Sequence, residues 1–206
     1  RSLGLKLFDM EKLISEGSGG HVWQAKRRVH ADAWTRPNAT VTLPDMIALK
    51  VASRRRGHGE AARNILDEYR MLSALQDNPG IVTLYHALLS CHPHEAVLVM
   101  ELCMDSLQAA LESSPLDPKQ PMARCEAAIK QDPLSATHDL VGAMKYMHSK
   151  DIVHRDIKQG DVLVRSDRAV GVASLPGLCI ADMDWAAYEG EAAKDLHLPQ
   201  TPCYRA

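Results

Sequence analysis

Apolar residues along this chain fall into short runs separated by charged or glycine-rich breaks, with two longer stretches at helical spacing. Ile47-Ala48-Leu49 ahead of Lys50, Val97-Leu98-Val99-Met100 running on to Cys103, and Val162-Leu163-Val164 read as short buried strands. Ile65, Leu66, Tyr69, Leu72 and Leu75 recur at steps of three and four, which predicts a helix over residues 60–76. Asp77-Asn78-Pro79-Gly80 ends it. Leu134, Leu140, Val141, Met144 and Met147 predict the apolar face of a second helix over residues 134–149, with Pro133 interrupting the helical pattern before it. Residues 27–45, with Pro37, Asn38 and Pro44, read as an extended loop. Residues 113–122, with Pro115, Pro118 and Pro121, read as an expanded connection before the long helix.

Composition narrows the class. A chain of 206 residues with 46% hydrophobic content can bury an ordinary globular core. A formal net charge of −2 gives no reason to expect a nucleic-acid or membrane surface. The basic clusters Lys26-Arg27-Arg28 and Arg54-Arg55-Arg56 are short and read as solvated. Five cysteines without a C-x-x-C pair point to reduced thiols. Cys91-His92-Pro93-His94 lacks a second ligand pair at metal-site spacing and reads as a loop. No apolar run approaches membrane-spanning length and no signal-peptide pattern is present, so the expected location is intracellular, cytoplasm or nucleus.

The chemistry concentrates in His154-Arg155-Asp156-Ile157-Lys158. Asp156 is a carboxylate able to accept a hydroxyl proton, and Lys158 is a cation able to steady a phosphate. Their period-two spacing lets both side chains leave an extended loop on the same side. The loop sits between the second helix and the Val162–Val164 strand, where catalytic groups tend to stand.

This string resembles the catalytic loop of eukaryotic protein kinases, H-R-D-x-K, and the family's other motifs follow in family order. Ser15-Glu16-Gly17-Ser18-Gly19-Gly20-His21-Val22 resembles the glycine-rich loop, with Ser15 at its first glycine and Gly17 and Gly20 at the others. Ile47-Ala48-Leu49-Lys50 resembles V-A-I-K, and Glu68 fits the helical glutamate, with Glu60 the other candidate. Gly80-Ile81-Val82-Thr83-Leu84 resembles the lead-in to the fourth strand, and Met100 stands as gatekeeper before the hinge. Asp182-Met183-Asp184 stands at D-F-G, and Thr201-Pro202-Cys203-Tyr204-Arg205-Ala206 resembles the start of T-P-x-Y-x-A-P-E. The chain begins without methionine and stops inside that motif, so a piece of a longer protein is expected.

The resemblance implies an α+β, bilobal fold, with a complete β-rich small lobe at about residues 6–100 and the first part of a helical large lobe at 101–206. It implies an ATP-dependent kinase that transfers the γ-phosphate to serine or threonine hydroxyls of a protein substrate, with Mg²⁺ or Mn²⁺. Asp156 would be the catalytic base, Lys158 would stabilise the moving phosphoryl group, and Lys50 held by Glu68 would anchor the α- and β-phosphates. Ser15, Gly17, Gly20, Val22, Ala48, Glu101, Cys103 and Leu163 would contact the nucleotide, Glu101 and Cys103 through the hinge backbone. Asp182 and Asp161 would hold metal. Leu72, Met183 and His154 would belong to a packed column, and Arg155 would pair with a phosphate on the activation segment, residues 182–206.

Departures from the family matter. Asp161 replaces the catalytic-loop asparagine, which adds charge near Asp156 and Asp182 and removes an N–H₂ donor. Met183 and Asp184 replace the phenylalanine and glycine of D-F-G, and Gln159-Gly160 replaces a proline-led pair. The hydroxyls of the activation segment are Tyr188, Thr201 and Tyr204, and Thr201 matches the threonine that contacts the catalytic aspartate. Activation without serine/threonine phosphorylation of this segment is therefore expected. The alternative function is a pseudokinase that regulates by binding nucleotide or a partner. A small-molecule kinase is the third possibility, disfavoured by the Thr201–Ala206 segment.

Overall fold

The computed structural model describes residues 4–17, 20–28, 43–52, 58–89, 96–112, 129–130, 132–165 and 177–192. The chain divides into two compact units, Arg1–Arg70 with Thr83–Leu102, and Met71–Val82 with Cys103–Ala206.

In the first unit, β1 (Phe8–Glu16), β2 (Gly20–Arg27), β3 (Met46–Ala52), β4 (Leu84–Leu89) and β5 (Ala96–Glu101) form one antiparallel sheet in the order β1-β2-β3-β5-β4. Strand alternation divides its central residues between two faces. Ala25, Ile47, Leu49, Val97 and Val99 turn to one side and pack with Phe8 and Leu88 into a core. Ala48, Lys50, Leu98 and Met100 turn to the other side and are also buried. A sheet covered on both faces reads as a continuous apolar run, which is why Ile47–Lys50 and Val97–Met100 show no alternation in the sequence.

Helix α1 (His58–Ala74) follows β3. Ile65 and Glu68 on it are buried, and Leu66 is exposed. The helix ends two residues earlier than the spacing predicts. Leu75 N–H bonds back to the Leu72 carbonyl at 3.0 Å, and Gln76 spends its side-chain Nε2 on the same carbonyl at 3.0 Å and on that of Val82 at 3.2 Å. A tightened last turn and a side-chain donor thus both serve the Leu72 carbonyl, which the backbone N–H of residue 76 would have taken in a longer helix.

The second unit carries β6 (Asp105–Ser106), α2 (Leu107–Glu112), α3 (Pro133–Ser149), β7 (Ile152–Val153), β8 (Val162–Val164), β9 (Leu178–Ile180), β10 (Ala187–Tyr188) and α4 (Glu189–Ala192). Two small sheets form, β6-β8-β9 and β10-β7. Ala110, Ile129, Ala136, Val162, Val164 and Leu178 make one core cluster, with Leu140 against it.

Two expectations about α3 are corrected. Pro133 begins the helix, a position where its missing N–H costs nothing. Leu134 and Val141 are solvent-facing, at 81% and 56% exposure. The inward stripe is Ala136, Leu140, Ala143 and Met147, because alanine lets neighbours approach closely where leucine would not fit. One such approach is visible at Gly80: a Cβ there would come within 2.6 Å of the Ala143 Cβ.

Residues 78–82 are fastened inside this unit. Ile180 N–H donates to the Gly80 carbonyl at 2.9 Å, and Val82 N–H donates to the Ile180 carbonyl at 2.9 Å. Arg165, just past β8, donates Nη2 to the Ile81 carbonyl at 2.8 Å and Nη1 to that of Pro79. Charge-assisted bonds to carbonyls are individually substantial. Arg165→Ala should therefore cost about 1–3 kcal/mol in urea unfolding, with amide exchange rising first at Ile81 and Val82. The expected loops over residues 27–45 and 113–122 lie largely outside the described residues, as do the Arg54–Arg56 and Cys91–His94 clusters.

Candidate active site

In the first unit the sheet's second face gathers the residues that sequence reasoning assigned to the nucleotide. Val22 stands opposite Lys50, and Lys50 opposite Leu98. In the next row Gln24 stands opposite Ala48, and Ala48 opposite Met100. Directly paired residues project to the same face, so Val22, Ala48, Lys50 and Met100 share one surface. Lys50 Nζ meets Glu68 Oε2 of α1 at 2.8 Å, and the two side chains are 7% and 1% exposed. An ammonium buried this deeply is tolerable because a carboxylate compensates it.

The glycine-rich segment turns β1 into β2, with Ser15 opposite Val22 and Gly17 N–H donating to the Gly20 carbonyl at 2.9 Å. Ser18 and Gly19 lie outside the described residues. Gly20 is required for a reason beyond any ligand: a Cβ there would collide with the Val51 carbonyl oxygen of β3. Glu101 uses its side chain internally. Its Oε1 accepts from Thr83 N–H at 2.7 Å, while its own N–H donates to the Thr83 carbonyl at 2.9 Å.

In the second unit the loop between β7 and β8 brings Asp156, Lys158 and Asp161 together. Lys158 Nζ lies 2.9 Å from Asp156 Oδ2 and 3.4 Å from Asp161 Oδ1. Asp161 is fixed from both ends: its Oδ2 accepts from Lys158 N–H at 3.3 Å, and its carbonyl accepts from Ala181 N–H at 2.8 Å. His154 is buried and shares a hydrogen bond with the Ala181 carbonyl through Nε2 at 3.1 Å. Burial holds its pKa below the usual histidine value, so the ring is neutral and Nε2 is the donor. Leu72 and Met183 are buried as well.

Backbone strain is concentrated here. Arg155 and Asp182 adopt left-handed conformations, φ 71° and 59°. Such conformations cost energy in residues that carry a Cβ and persist where surroundings hold them. Arg155 Nε is held by the Trp185 carbonyl at 2.6 Å. The start of the activation segment thus engages Arg155 through its backbone. Thr201 and Tyr204 lie outside the described residues.

Charge in this loop is unbalanced. Burial pushes the Asp161 carboxyl up to about 7, the Asp182 charge adds to the rise, and Lys158 opposes it. For Lys158, burial pulls the pKa down, but the Asp156 hydrogen bond and the charges of Asp161, Asp156 and Asp182 outweigh it, so the ammonium is held above its usual value. Carboxylate oxygens and excess negative charge are what a hard divalent cation takes. Asp161 and Asp182 therefore fit the metal that the resemblance implies.

The Asp161 shift has a stability consequence. Between about pH 4 and about pH 7 the folded protein binds a proton that the unfolded chain has lost, so stability falls as pH rises through that window. In metal-free buffer, Asp161→Asn should match wild type near pH 4 and exceed it above pH 7, by at most about 4 kcal/mol. Urea unfolding at both pH values measures it.

Residues 8–206 match the family model of the protein kinase domain. The chain is a member of the protein kinase family. The five-stranded antiparallel sheet and the helices match a kinase small lobe and the start of a large lobe. Curated relatives include serine/threonine-protein kinase TAO1-A of Xenopus laevis, 29% identical over 177 residues, or 85% of this chain and 15% of that protein. Serine/threonine-protein kinase STK11 of Rattus norvegicus is 28% identical over 166 residues, 81% of this chain and 33% of that protein. Serine/threonine-protein kinase TAO2 of Homo sapiens is 29% identical over 160 residues, 77% of this chain and 11% of that protein. The chain thus spans a third or less of the length of these relatives. No helix among the described residues is long and apolar enough to cross a membrane.

Two features of this kinase domain carried no signal in its sequence motifs. Arg165 acts through backbone carbonyls more than eighty positions away, and only a three-dimensional structure pairs them. Cys103 and Cys179 meet sulfur to sulfur at 3.9 Å, although their spacing matches no metal or redox motif.

Proposed function

We propose that the protein carrying this chain is an ATP-dependent kinase that phosphorylates serine or threonine hydroxyls of proteins. The observation that carries the reading is Lys158 held at 2.9 Å from Asp156, a proton acceptor and a phosphate-binding cation fixed on one loop. Phosphoryl transfer needs positioning and charge screening more than covalent chemistry. Asp156 orients the substrate hydroxyl and takes its proton, and Lys158 offsets charge on the transferred group. Lys50, fixed by Glu68, binds the nucleotide's α- and β-phosphates. Val22 and Ala48 supply the apolar surface for adenine in the small lobe, and Leu163 supplies it in the large lobe. The backbone at Glu101 and Cys103 recognises the adenine edge, and Ser15, Gly17 and Gly20 cover the phosphates. Mg²⁺ or Mn²⁺, held by Asp182 and Asp161, would screen charge on the phosphates. Arg155 and Thr201 order the activation segment.

One observation favours a second reading, a nucleotide-binding pseudokinase. Asp161 is buried where the family has a neutral asparagine, and its carboxylate adds charge where balance is already poor. A bound divalent cation removes that objection, which ranks the kinase first.

The test is γ-phosphate transfer by the full-length protein to a mixed serine, threonine and tyrosine peptide library. Label on serine or threonine is expected. Label confined to tyrosine contradicts the substrate class, and the absence of label from folded, nucleotide-bound protein favours the pseudokinase.

A further inference from the structure

Cys103 and Cys179 belong to the second unit, and their sulfurs lie 3.9 Å apart. Neither is in a disulfide. Cys179 is wholly buried in the middle of β9, whereas Cys103 is half-buried just before β6. The segment bearing Cys103 is pinned to β8 by Met104 N–H donating to the Val164 carbonyl at 2.8 Å. Cys179 stands directly opposite Leu163 on the same β8. Cys179 lies within this three-stranded sheet and Cys103 just ahead of its β6 strand, with β8 between β6 and β9.

We propose that Cys103 and Cys179 are a reversible dithiol/disulfide pair, oxidised by hydrogen peroxide, that locks the segment after Leu102 to β9. Disulfide closure needs sulfurs at about 2 Å, so the thiols close from 3.9 Å by side-chain rotation together with movement of the segment before β6. The difference in exposure sets the order of events. Peroxide reaches Cys103 first. Its thiolate attacks one peroxide oxygen, the S–O bond forms as the O–O bond breaks, and hydroxide leaves to be protonated to water. The product is a sulfenic acid. Cys179 sulfur then attacks Cys103 sulfur, the S–S bond forms as the S–O bond breaks, and hydroxide departs with the Cys179 proton as water. Two thiols lose two electrons and one peroxide becomes two waters. A dithiol reductant reverses the bond by exchange.

The bond has a consequence that rests on the proposed nucleotide role of Cys103 and Leu163. A cross-link between the hinge backbone and β9 fixes Cys103 in a position set by Cys179 and not by the adenine edge. Nucleotide affinity should then fall by about tenfold on oxidation and return on reduction.

The experiment treats the full-length protein with hydrogen peroxide, blocks remaining thiols, and maps peptides by mass spectrometry without reduction, alongside Cys179→Ala. The expected product is a peptide linking Cys103 to Cys179, abolished by dithiothreitol. In Cys179→Ala, Cys103 should progress to sulfinic acid. Sulfinic Cys103 in wild type without the linked peptide overturns the proposal, as does Cys103 joined to Cys91, Cys125 or Cys203. If Cys179→Ala fails to fold, the wild-type map alone decides. ATP titration of oxidised and reduced wild type reads the consequence. Unchanged affinity in linked protein overturns the coupling. Failure of the reduced protein to bind ATP overturns the functional reading and leaves the peptide map to stand or fall separately.

Discussion

Asp156→Asn in the full-length protein should slow phosphoryl transfer by about 10²–10⁴-fold while leaving ATP affinity within about threefold of wild type. Asparagine keeps the shape of the side chain and can still accept a hydrogen bond from Lys158, whose Nζ lies 2.9 Å from Asp156 Oδ2. It cannot take a proton from a hydroxyl. Lys158 also retains Asp161 at 3.4 Å, so the loop keeps a charge pair and stability should change by about 1 kcal/mol or less. Steady-state kinetics with an independent ATP titration separate these effects. Parallel loss of turnover and affinity would mean that the substitution had disordered the loop and not removed a base.

Glu68→Ala should cost about 3–5 kcal/mol of stability as well as activity. Lys50 is 7% exposed and its charge lies 2.8 Å from Glu68. Removing the carboxylate leaves an ammonium with little access to water, and that desolvation dominates the cost. Pairing Glu68→Leu with Lys50→Met removes both charges and leaves an apolar pair of similar size. The double variant should regain most of the lost stability, to within about 1–2 kcal/mol of wild type, because an apolar replacement of both partners leaves no orphaned charge. Activity should not return, since no cation then remains to bind the phosphates. Chemical denaturation of the two proteins, with transfer assays beside it, distinguishes the structural share of the pair from its catalytic share.

Much of this was legible along the chain, for physical reasons that differ by residue. Lys50 and Glu68 were readable because a lysine ending an apolar strand and a glutamate beside a helical stripe both sit in periodic elements, whose geometry fixes where side chains point. The Asp156–Lys158 contact followed from two-residue spacing in an extended loop. The inward face of α3 was misread where size stood in for burial: Leu134 and Val141 are apolar and bulky yet face solvent, while Ala136 and Ala143 carry the packing. The end of α1 was overextended because the Gln76 side chain, and not its backbone, completes the last turn. Nothing local could reveal that Arg165 fastens Pro79 and Ile81. The raised Asp161 pKa was foreseeable in direction from clustered carboxylates, but its first cause is burial, which only the folded loop supplies.

A loop that works as a kinase with an aspartate at position 161 must transfer phosphate without the family's asparagine. The most direct test is γ-phosphate transfer by full-length wild type and Asp161→Asn, each with Mg²⁺ and with Mn²⁺, at equal nucleotide saturation. Wild type is expected to transfer phosphate to serine or threonine with at least one of the two metals. Transfer by Asp161→Asn alone, from two proteins that both fold and bind ATP, would contradict it and identify the natural protein as a pseudokinase.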